Sequence, residues 1–281
     1  MTSTTVRERE LNVEGIRTVL REAGPVQDDE AVVFIHGNPG SGADWIGLMD
    51  RVSGFRRVVA WDAPGFGRSG KPADFPYTVD GYASFIAKAL DSLGVGRAHL
   101  VLHDFGGPWG LQWAVDHADR FASAVLINTG VLLGYRWHRL ARVWRTAVAG
   151  EAFMVTATRT GFRMLMGVGN PRGLPREFVD RMYDDFDHGT RRAVLRLYRA
   201  TDLARWADRA SPELARLNRP ALVVWGTADP YIPAAQAGAQ LRSFPRAETL
   251  LIDGSGHWPF IDAPERVEPA VAEFLQRVAA T

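Results

Sequence analysis

The chain has 281 residues, which fits one large α/β domain or a core domain with an insertion better than a string of small modules. Hydrophobic residues make up 46% and charged residues 23%, so disordered, collagen-like and coiled-coil classes are excluded. The net charge of +1 gives no electrostatic attraction for a nucleic-acid backbone or an anionic membrane, and a chain without cysteine forms neither disulfides nor a thiolate metal site.

The N-terminal segment carries no targeting signal that we can identify. Residues 1–10 are polar, and no apolar run in the chain approaches the ~18 residues that a membrane span needs. We therefore expect a cytoplasmic protein, a monomer or homodimer, without membrane or nucleic-acid partners.

Short β-branched runs alternate with longer amphipathic segments along most of the chain. Residues 11–21 predict a leading antiparallel hairpin. Six later runs are short, continuously apolar and bounded by turn residues, which is typical of buried parallel strands. They cover residues 31–35, 57–61, 99–102, 122–127, 221–225 and 249–252. Three segments have the apolar spacing of helices that cover a sheet, namely residues 77–93, 107–117 and 264–278.

The strand signal disappears between residues 131 and 212. This stretch is rich in arginine, methionine and aromatic residues, with glycine and proline clustered at residues 167–175. It predicts several helices inserted between two strands. We interpret residues 131–212 as a cap above the carboxyl edge of the sheet, and residues 1–130 and 213–281 as the core domain.

One predicted strand leads through a sharp turn into a helix. The turn reads His103-Asp104-Phe105-Gly106-Gly107, and it displays Asp104 above the sheet at the positive end of the following helix. A carboxylate in this position stays ionised and can act as a nucleophile. Taken alone, Asp104 could equally be a helix N-cap.

Two further strands end in residues that complete a catalytic set. Asp229 lies in the turn after one strand, and His257 lies in the loop after the next. The chain order is nucleophile, acid and base, in which the acid orients the histidine and stabilises its charged form. Because all three residues follow strand ends, we expect them to meet at one edge of the sheet.

A fourth strand runs into a turn of glycine and proline at residues 36–40. Such a turn can direct backbone N–H groups at developing negative charge. The N–H groups of Asn38 and Phe105 would supply two donors to an oxyanion, whereas His36 is better interpreted as a structural residue of the turn.

Together these motifs resemble the α/β-hydrolase fold, in the branch with an aspartate nucleophile that contains epoxide hydrolases and haloalkane dehalogenases. The resemblance covers nearly the whole chain. The matching motifs are HGNP at residues 36–39, WDAPGFGRS at 61–69, HDFGG at 103–107, GTADP at 226–230 and GHW at 256–258.

The resemblance implies an α/β-hydrolase fold, with a mostly parallel eight-stranded sheet flanked by helices and a helical cap inserted after strand 6. It implies that Asp104 is the nucleophile, Asp229 the acid and His257 the base. It further implies that the protein needs no metal or organic cofactor and acts on a small apolar electrophile.

The haloalkane dehalogenase interpretation depends on N–H donors for the departing halide. Members of that branch usually have a tryptophan directly after the nucleophile, together with an asparagine in the oxyanion turn or a second tryptophan. Asn38 fits this pattern, but the ring of Phe105 has no N–H group. Trp109, Trp137 or Trp144 could supply the missing donor.

The epoxide hydrolase interpretation depends on proton donors for the opening ring, normally two tyrosines of the cap. Tyr198, followed by Arg199, resembles the second tyrosine of the pair, and Tyr135 lies early in the cap where the first is expected. We also expect several aromatic side chains to line the pocket. These are Trp109, Trp137, Tyr183 and Trp258.

We therefore predict a hydrolase that forms an alkyl ester on Asp104, with an epoxide as the leading substrate class and a halogenated alkane as the alternative. Ester or lactone hydrolysis is disfavoured because attack by a carboxylate on an acyl group gives a reactive anhydride. A non-catalytic ligand-binding protein of the same fold is disfavoured because Asp104, Asp229 and His257 are all present.

Overall fold

A computed structural model describes residues 5–279 of the chain. Its eight strands form a single sheet. They are β1 (Arg7–Val13), β2 (Ile16–Ala23), β3 (Glu30–Ile35), β4 (Arg57–Trp61), β5 (Arg97–His103), β6 (Phe121–Ile127), β7 (Ala221–Gly226) and β8 (Ala247–Ile252). The spatial order is β1-β2-β4-β3-β5-β6-β7-β8, in which β2 is antiparallel to both of its neighbours and all other pairs are parallel. The predicted mostly parallel sheet and its leading hairpin are confirmed.

Twelve α-helices surround the sheet in the part of the chain that the structure describes. They are α1 (Ile46–Val52), α2 (Val79–Ser92), α3 (Gly106–Asp116), α4 (Arg139–Arg145), α5 (Ala149–Thr156), α6 (Arg159–Gly169), α7 (Arg176–Asp184), α8 (His188–Ala200), α9 (Leu203–Leu217), α10 (Ala235–Ala239), α11 (Pro259–Asp262) and α12 (Pro264–Ala279). None of them is both long and apolar enough to cross a membrane.

The central strands are buried because helices cover the sheet. Every residue of β4, β6 and β7 is buried, whereas the edge strand β8 is mostly exposed. Helix α3 packs against both α2 and α9, and α1 packs against α12. A strand buried on both faces needs no alternation of polar and apolar residues, which explains the continuous apolar runs in the sequence.

The insertion between β6 and β7 is helical, as the sequence predicts. Helices α4, α5 and α8 pack together, and α6 packs against α7. The predicted boundary at residue 212 falls inside α9, which continues through Pro212 to Leu217 and packs against the core helix α3. Helix α9 therefore packs with the core. It continues through Pro212 because burial of its apolar face outweighs the loss of the one hydrogen bond that a proline inside a helix cannot donate.

Candidate active site

Asp104 lies at a sharp turn between β5 and α3. Its φ of 49° is in the left-handed region, which is uncommon for a residue other than glycine. The turn is possible because two residues packed against it are glycines. A Cβ on Gly106 would lie 2.2 Å from the carbonyl oxygen of Ile35. A Cβ on Gly37 would lie 2.4 Å from Oδ1 of Asp104. The turn thus places the carboxylate at the carboxyl edge of the sheet.

Asp104, Asp229 and His257 lie together at this edge. Nε2 of His257 is 3.5 Å from Oδ2 of Asp104, and Nδ1 of His257 is 2.7 Å from Oδ2 of Asp229. The residues meet because the parallel strands β5, β7 and β8 all end here. Nδ1 donates to Asp229, so Nε2 faces the Asp104 carboxylate.

The three groups adjust one another's charge. Burial lowers the pKa of His257, but the carboxylates of Asp229 and Asp104 outweigh burial and raise that pKa to about 10. Burial raises the pKa of Asp104, but the hydrogen bond and charge of His257 hold it below its ordinary value. Asp229 follows the same pattern, because His257 outweighs the effect of burial. In the free protein His257 is therefore cationic, between two carboxylates.

Asn128 and two backbone amides hold Asp229 in place. The amide nitrogen of Asn128 donates to Oδ2 of Asp229 at 2.7 Å, and its amide oxygen accepts from the backbone N–H of Gly226 at 3.0 Å. Oδ1 of Asp229 accepts from the backbone N–H groups of Tyr231 and Ile232 at 2.8 and 3.1 Å. Asn128 is not among the residues predicted from the sequence, and its position directly after β6, at the same sheet edge, is the available signal.

Asn170, at the end of α6, fixes the loop that carries His257. Its amide oxygen accepts from the backbone N–H groups of His257 and Trp258 at 2.9 and 3.2 Å. Its amide nitrogen donates to the carbonyl of Met166 at 2.8 Å. Asn170 is also not predicted from the sequence, because nothing local marks a contact across 87 positions.

The turn at residues 36–40 reaches Asp104. The backbone N–H of Asn38 donates to Oδ1 of Asp104 at 2.7 Å. The backbone nitrogen of Phe105 lies beside Gly37, where a Cβ would be 2.7 Å from it. His36 has the structural role predicted for it, because its Nε2 accepts from the backbone N–H of Ala63 at 2.9 Å.

A cavity of about 400 Å³ opens above Asp104 and His257. Its walls are mainly apolar and come largely from α4, α5, α6 and the segments between them. Tyr198 and Trp258 line it, as the sequence predicts. A smaller pocket adjoins it, and its walls include Asp104, Phe105, Tyr135, Trp137, His138 and Tyr198.

The two predicted cap tyrosines differ in what their hydroxyl groups do. The hydroxyl of Tyr198 accepts from the side-chain amide of Asn38 at 3.3 Å, and its own proton has no acceptor among residues 5–279. Burial, and then the charge of Asp104, raise the pKa of Tyr198 well above 10. Tyr135 instead donates its proton to the carbonyl of Tyr231 at 3.1 Å. Tyr135 is thus not placed as a free proton donor, contrary to the prediction.

Two of the four aromatic residues predicted to line the pocket lie elsewhere. Trp109 is fully buried in the core and stacks on Tyr82 with ring centroids 3.9 Å apart, because α3 turns this position towards α2. Tyr183 points its hydroxyl at the carbonyl of Ala157, 3.3 Å away, and lines neither the cavity nor the smaller pocket. Trp137 lines only the smaller pocket.

The described residues include no group of three or more His, Asp or Glu side chains arranged to hold a metal ion. The polar groups at the cavity are the Asp104 carboxylate, the rings of His138 and His257, hydroxyl groups and amides. These groups can perform nucleophilic and acid–base chemistry with their own atoms.

A model of the alpha/beta hydrolase fold matches residues 30–264. The chain belongs to the α/β-hydrolase fold family. It is 30% identical to cis-3-alkyl-4-alkyloxetan-2-one decarboxylase of Xanthomonas campestris, over 94% of this chain and 93% of that protein.

Solved structures of the family have the same architecture. The haloalkane dehalogenase DbeA of Bradyrhizobium elkani superposes with a TM-score of 0.86 at 24% identity, covering 98% of this chain and 99% of that one. An epoxide hydrolase of Vigna radiata superposes with a TM-score of 0.79 at 21% identity, covering 97% and 98%. At these identities the superpositions show the fold alone. The family match, with the decarboxylase relative, shows that the chain is an enzyme of the α/β-hydrolase family.

Proposed function

We propose that this hydrolase opens epoxides to diols through an ester on Asp104. The proposal rests on the two hydrogen bonds of Asn38, which contacts both Asp104 and a hydroxyl group in one apolar cavity. Its backbone N–H contacts Oδ1 of Asp104, and its side-chain amide contacts the hydroxyl of Tyr198. A nucleophile and a proton donor on one cavity are what opening a three-membered ring requires.

In the first step Oδ2 of Asp104, the carboxylate oxygen that faces His257, attacks a ring carbon. The carbon–oxygen bond of the ring breaks, and the departing oxygen takes the phenolic proton of Tyr198. Oδ1 becomes the carbonyl oxygen of the ester and keeps its hydrogen bond from the N–H of Asn38. An uncharged phenol is available for this step because the pKa of Tyr198 is well above 10.

In the second step water attacks the carbonyl carbon of the ester. His257, once neutral, accepts the proton of the water, and Asp229 stabilises the imidazolium that forms. The oxyanion on Oδ1 is stabilised by the Asn38 N–H. Its collapse breaks the bond to the substrate oxygen, which takes the proton of the new carboxylic acid, so that the diol leaves and the Asp104 carboxylate is restored. The proton that His257 gives up before this step returns Tyr198 from phenolate to phenol. The apolar walls suit a small apolar substrate.

Haloalkane hydrolysis is the second candidate, favoured by the side-chain amide of Asn38 at the site. A halide also needs a second donor. Phe105 supplies none from its ring, and the indole nitrogens of Trp144 and Trp258, whose rings line the cavity, are themselves fully buried. We therefore rank this reaction below epoxide opening.

A four-membered lactone is the third candidate, because the decarboxylase relative is named for an oxetan-2-one. Here Asp104 would attack the saturated ring carbon that is bonded to the ring oxygen, not the carbonyl carbon. The bond between that carbon and the ring oxygen would break and leave a free carboxylate on the substrate. Loss of carbon dioxide would then form an alkene and break the ester bond, which restores Asp104 without water. This route attacks an alkyl carbon and so forms no anhydride.

The three candidates differ in their products. The purified enzyme would be offered styrene oxide, 1-bromohexane and a 3,4-dialkyl oxetan-2-one, with diol, bromide and alkene as the products measured. We expect diol from styrene oxide and none from the Asp104→Asn variant. Bromide or alkene without diol would contradict the proposal.

A further inference from the structure

His138 lies at the junction of the two pockets above the nucleophile. It lines the large cavity together with Asp104 and Tyr198, and it also lines the smaller pocket with the same two residues. It sits directly before α4, as the N-cap residue of that helix. The mechanism proposed above assigns it no role.

The hydrogen bonding of His138 determines where its proton is. Its Nδ1 accepts from the backbone N–H of Ala141 at 3.2 Å, so in the neutral ring the proton is on Nε2. No residue in the described part of the chain accepts a hydrogen bond from Nε2, and this atom is not fully buried. An accessible N–H donor is thus available at a wall of the site.

The ring stays neutral while it presents this donor. Burial lowers the pKa of His138 to about 4, although the Asp104 and Asp229 carboxylates oppose that effect and the charge of His257 adds to it. The edge of the ring packs against Tyr231, with centroids 5.1 Å apart. A neutral imidazole donates a hydrogen bond without transferring its proton, whereas a phenol can do both.

Helix capping alone does not account for a histidine here. Asn, Asp, Ser and Thr are the residues that cap helix N-termini best. The second donor expected from the sequence is also missing, because Tyr135 gives its proton to the carbonyl of Tyr231. His138 fills the vacant role from the same early part of the insertion.

We propose that His138 is a catalytic residue that donates its Nε2–H to the substrate oxygen while Tyr198 supplies the proton. The inference rests on the proposed function, in which the leaving atom of the substrate is a ring oxygen. An opening epoxide oxygen carries growing negative charge and can accept two hydrogen bonds, one from the phenol and one from the imidazole. The donor thus accelerates the step that forms the ester on Asp104.

Two substitutions separate the donor from the helix cap. In His138→Asn the amide lies where Nδ1 was, so it can cap α4 but cannot reach the position of Nε2. In His138→Gln the amide nitrogen can reach the position of Nε2, but the cap is weakened. The readout is the single-turnover rate of ester formation from styrene oxide, measured by rapid quenching and mass spectrometry.

We expect His138→Asn to slow ester formation by about tenfold to a hundredfold, with a Tm within about 2 °C of the wild type. We expect His138→Gln to restore the rate to within about fivefold of the wild type despite a lower Tm. A rate for His138→Asn within about twofold of the wild type would overturn the inference, as would equal slowing in both variants. If the wild type itself forms no ester, the proposed function fails along with the inference.

Discussion

The carboxylates of Asp229 and Asp104 together raise the pKa of His257. In the free enzyme two carboxylates face the imidazole and raise its pKa to about 10. Because this exceeds the unfolded value of ~6.5, the charge contributes its full stabilisation below pH ~6.5 and loses it as the pH rises towards 10. Alkylation of Asp104 removes one carboxylate charge, so His257 then loses its proton more readily and can act as the base.

The His257 pKa should respond directly to this charge. We expect its ring to titrate near pH 10 in the free enzyme, and roughly one unit or more lower in Asp104→Asn, because only Asp229 then faces it. NMR of the ¹⁵N-labelled imidazole would measure both values. An unchanged pKa in the variant would contradict the ion pair between these residues.

Asn128 should matter mainly for the second half of the reaction. Its amide donates to the Asp229 oxygen that also contacts His257, and a hydrogen bond to a charged group contributes about 1.5–3 kcal/mol. We expect Asn128→Ala to slow ester hydrolysis by roughly tenfold or more and ester formation by no more than about threefold. Single-turnover kinetics would separate the two steps, and equal slowing of both would argue against this role.

The residues that could be found from sequence share one property. Asp104, Asp229 and His257 each follow the end of a strand, so a local pattern marks them. Asn128 also follows the end of a strand. An asparagine there is not by itself a nucleophile, acid or base, however, and the roles of Asn128 and His138 depend on contacts with distant segments. Asn128, for instance, contacts a carboxylate 101 positions away.

At the scale of elements, the buried strands and long helices were predictable because their patterns are periodic or continuously apolar. The predicted strand at residues 57–61 coincides with β4, and the other five parallel strands agree within two residues at each end. Helices α1, α10 and α11 were missed, since they have seven, five and four residues and complete too few turns to show a helical period.

The turn between β5 and α3 should tolerate no side chain at Gly106. A Cβ there would lie 2.2 Å from one backbone carbonyl and 2.8 Å from the next, and backbone atoms cannot move aside singly. We expect Gly106→Ala to lower the free energy of unfolding by about 2 kcal/mol or more. Gly238→Ala is the matched control, since a Cβ on that helical glycine meets nothing within 4 Å.

Chemical denaturation would compare the two variants. We expect Gly238→Ala to be neutral or to stabilise the fold by up to about 1 kcal/mol, because alanine is a better helix former. Equal effects in the two variants would contradict the argument from close approach at Gly106.

At the scale of the whole molecule, the helical insertion holds the loop that carries His257. Asn170 and the carbonyl of Gly169, at the end of α6, bind the backbone of His257. A Cβ on Gly256 would lie 2.3 Å from that carbonyl, which shows how closely the two segments approach. The position of α6 is therefore linked to the position of the imidazole.

Removing this link should loosen the loop locally. In Asn170→Ala the backbone N–H groups of His257 and Trp258 lose a shared acceptor, and we expect their amide hydrogens to exchange at least about tenfold faster. Amides of β6 should be unaffected. Hydrogen exchange followed by NMR would measure both. The amide of His257 keeps the carbonyl of Gly169 as an acceptor, so the deciding amide is that of Trp258, and unchanged exchange there would mean that Asn170 does not hold the loop.

The most direct test of the account is to trap the ester. His257→Gln removes the base that the second step needs and leaves Asp104, Asn38 and Tyr198 in place. After incubation with styrene oxide and proteolysis, mass spectrometry should find one added substrate on the peptide that contains Asp104, and none in His257→Gln combined with Asp104→Asn. An adduct on another residue, or full turnover by His257→Gln without an adduct, would contradict the proposal that Asp104 attacks the substrate and His257 releases the product.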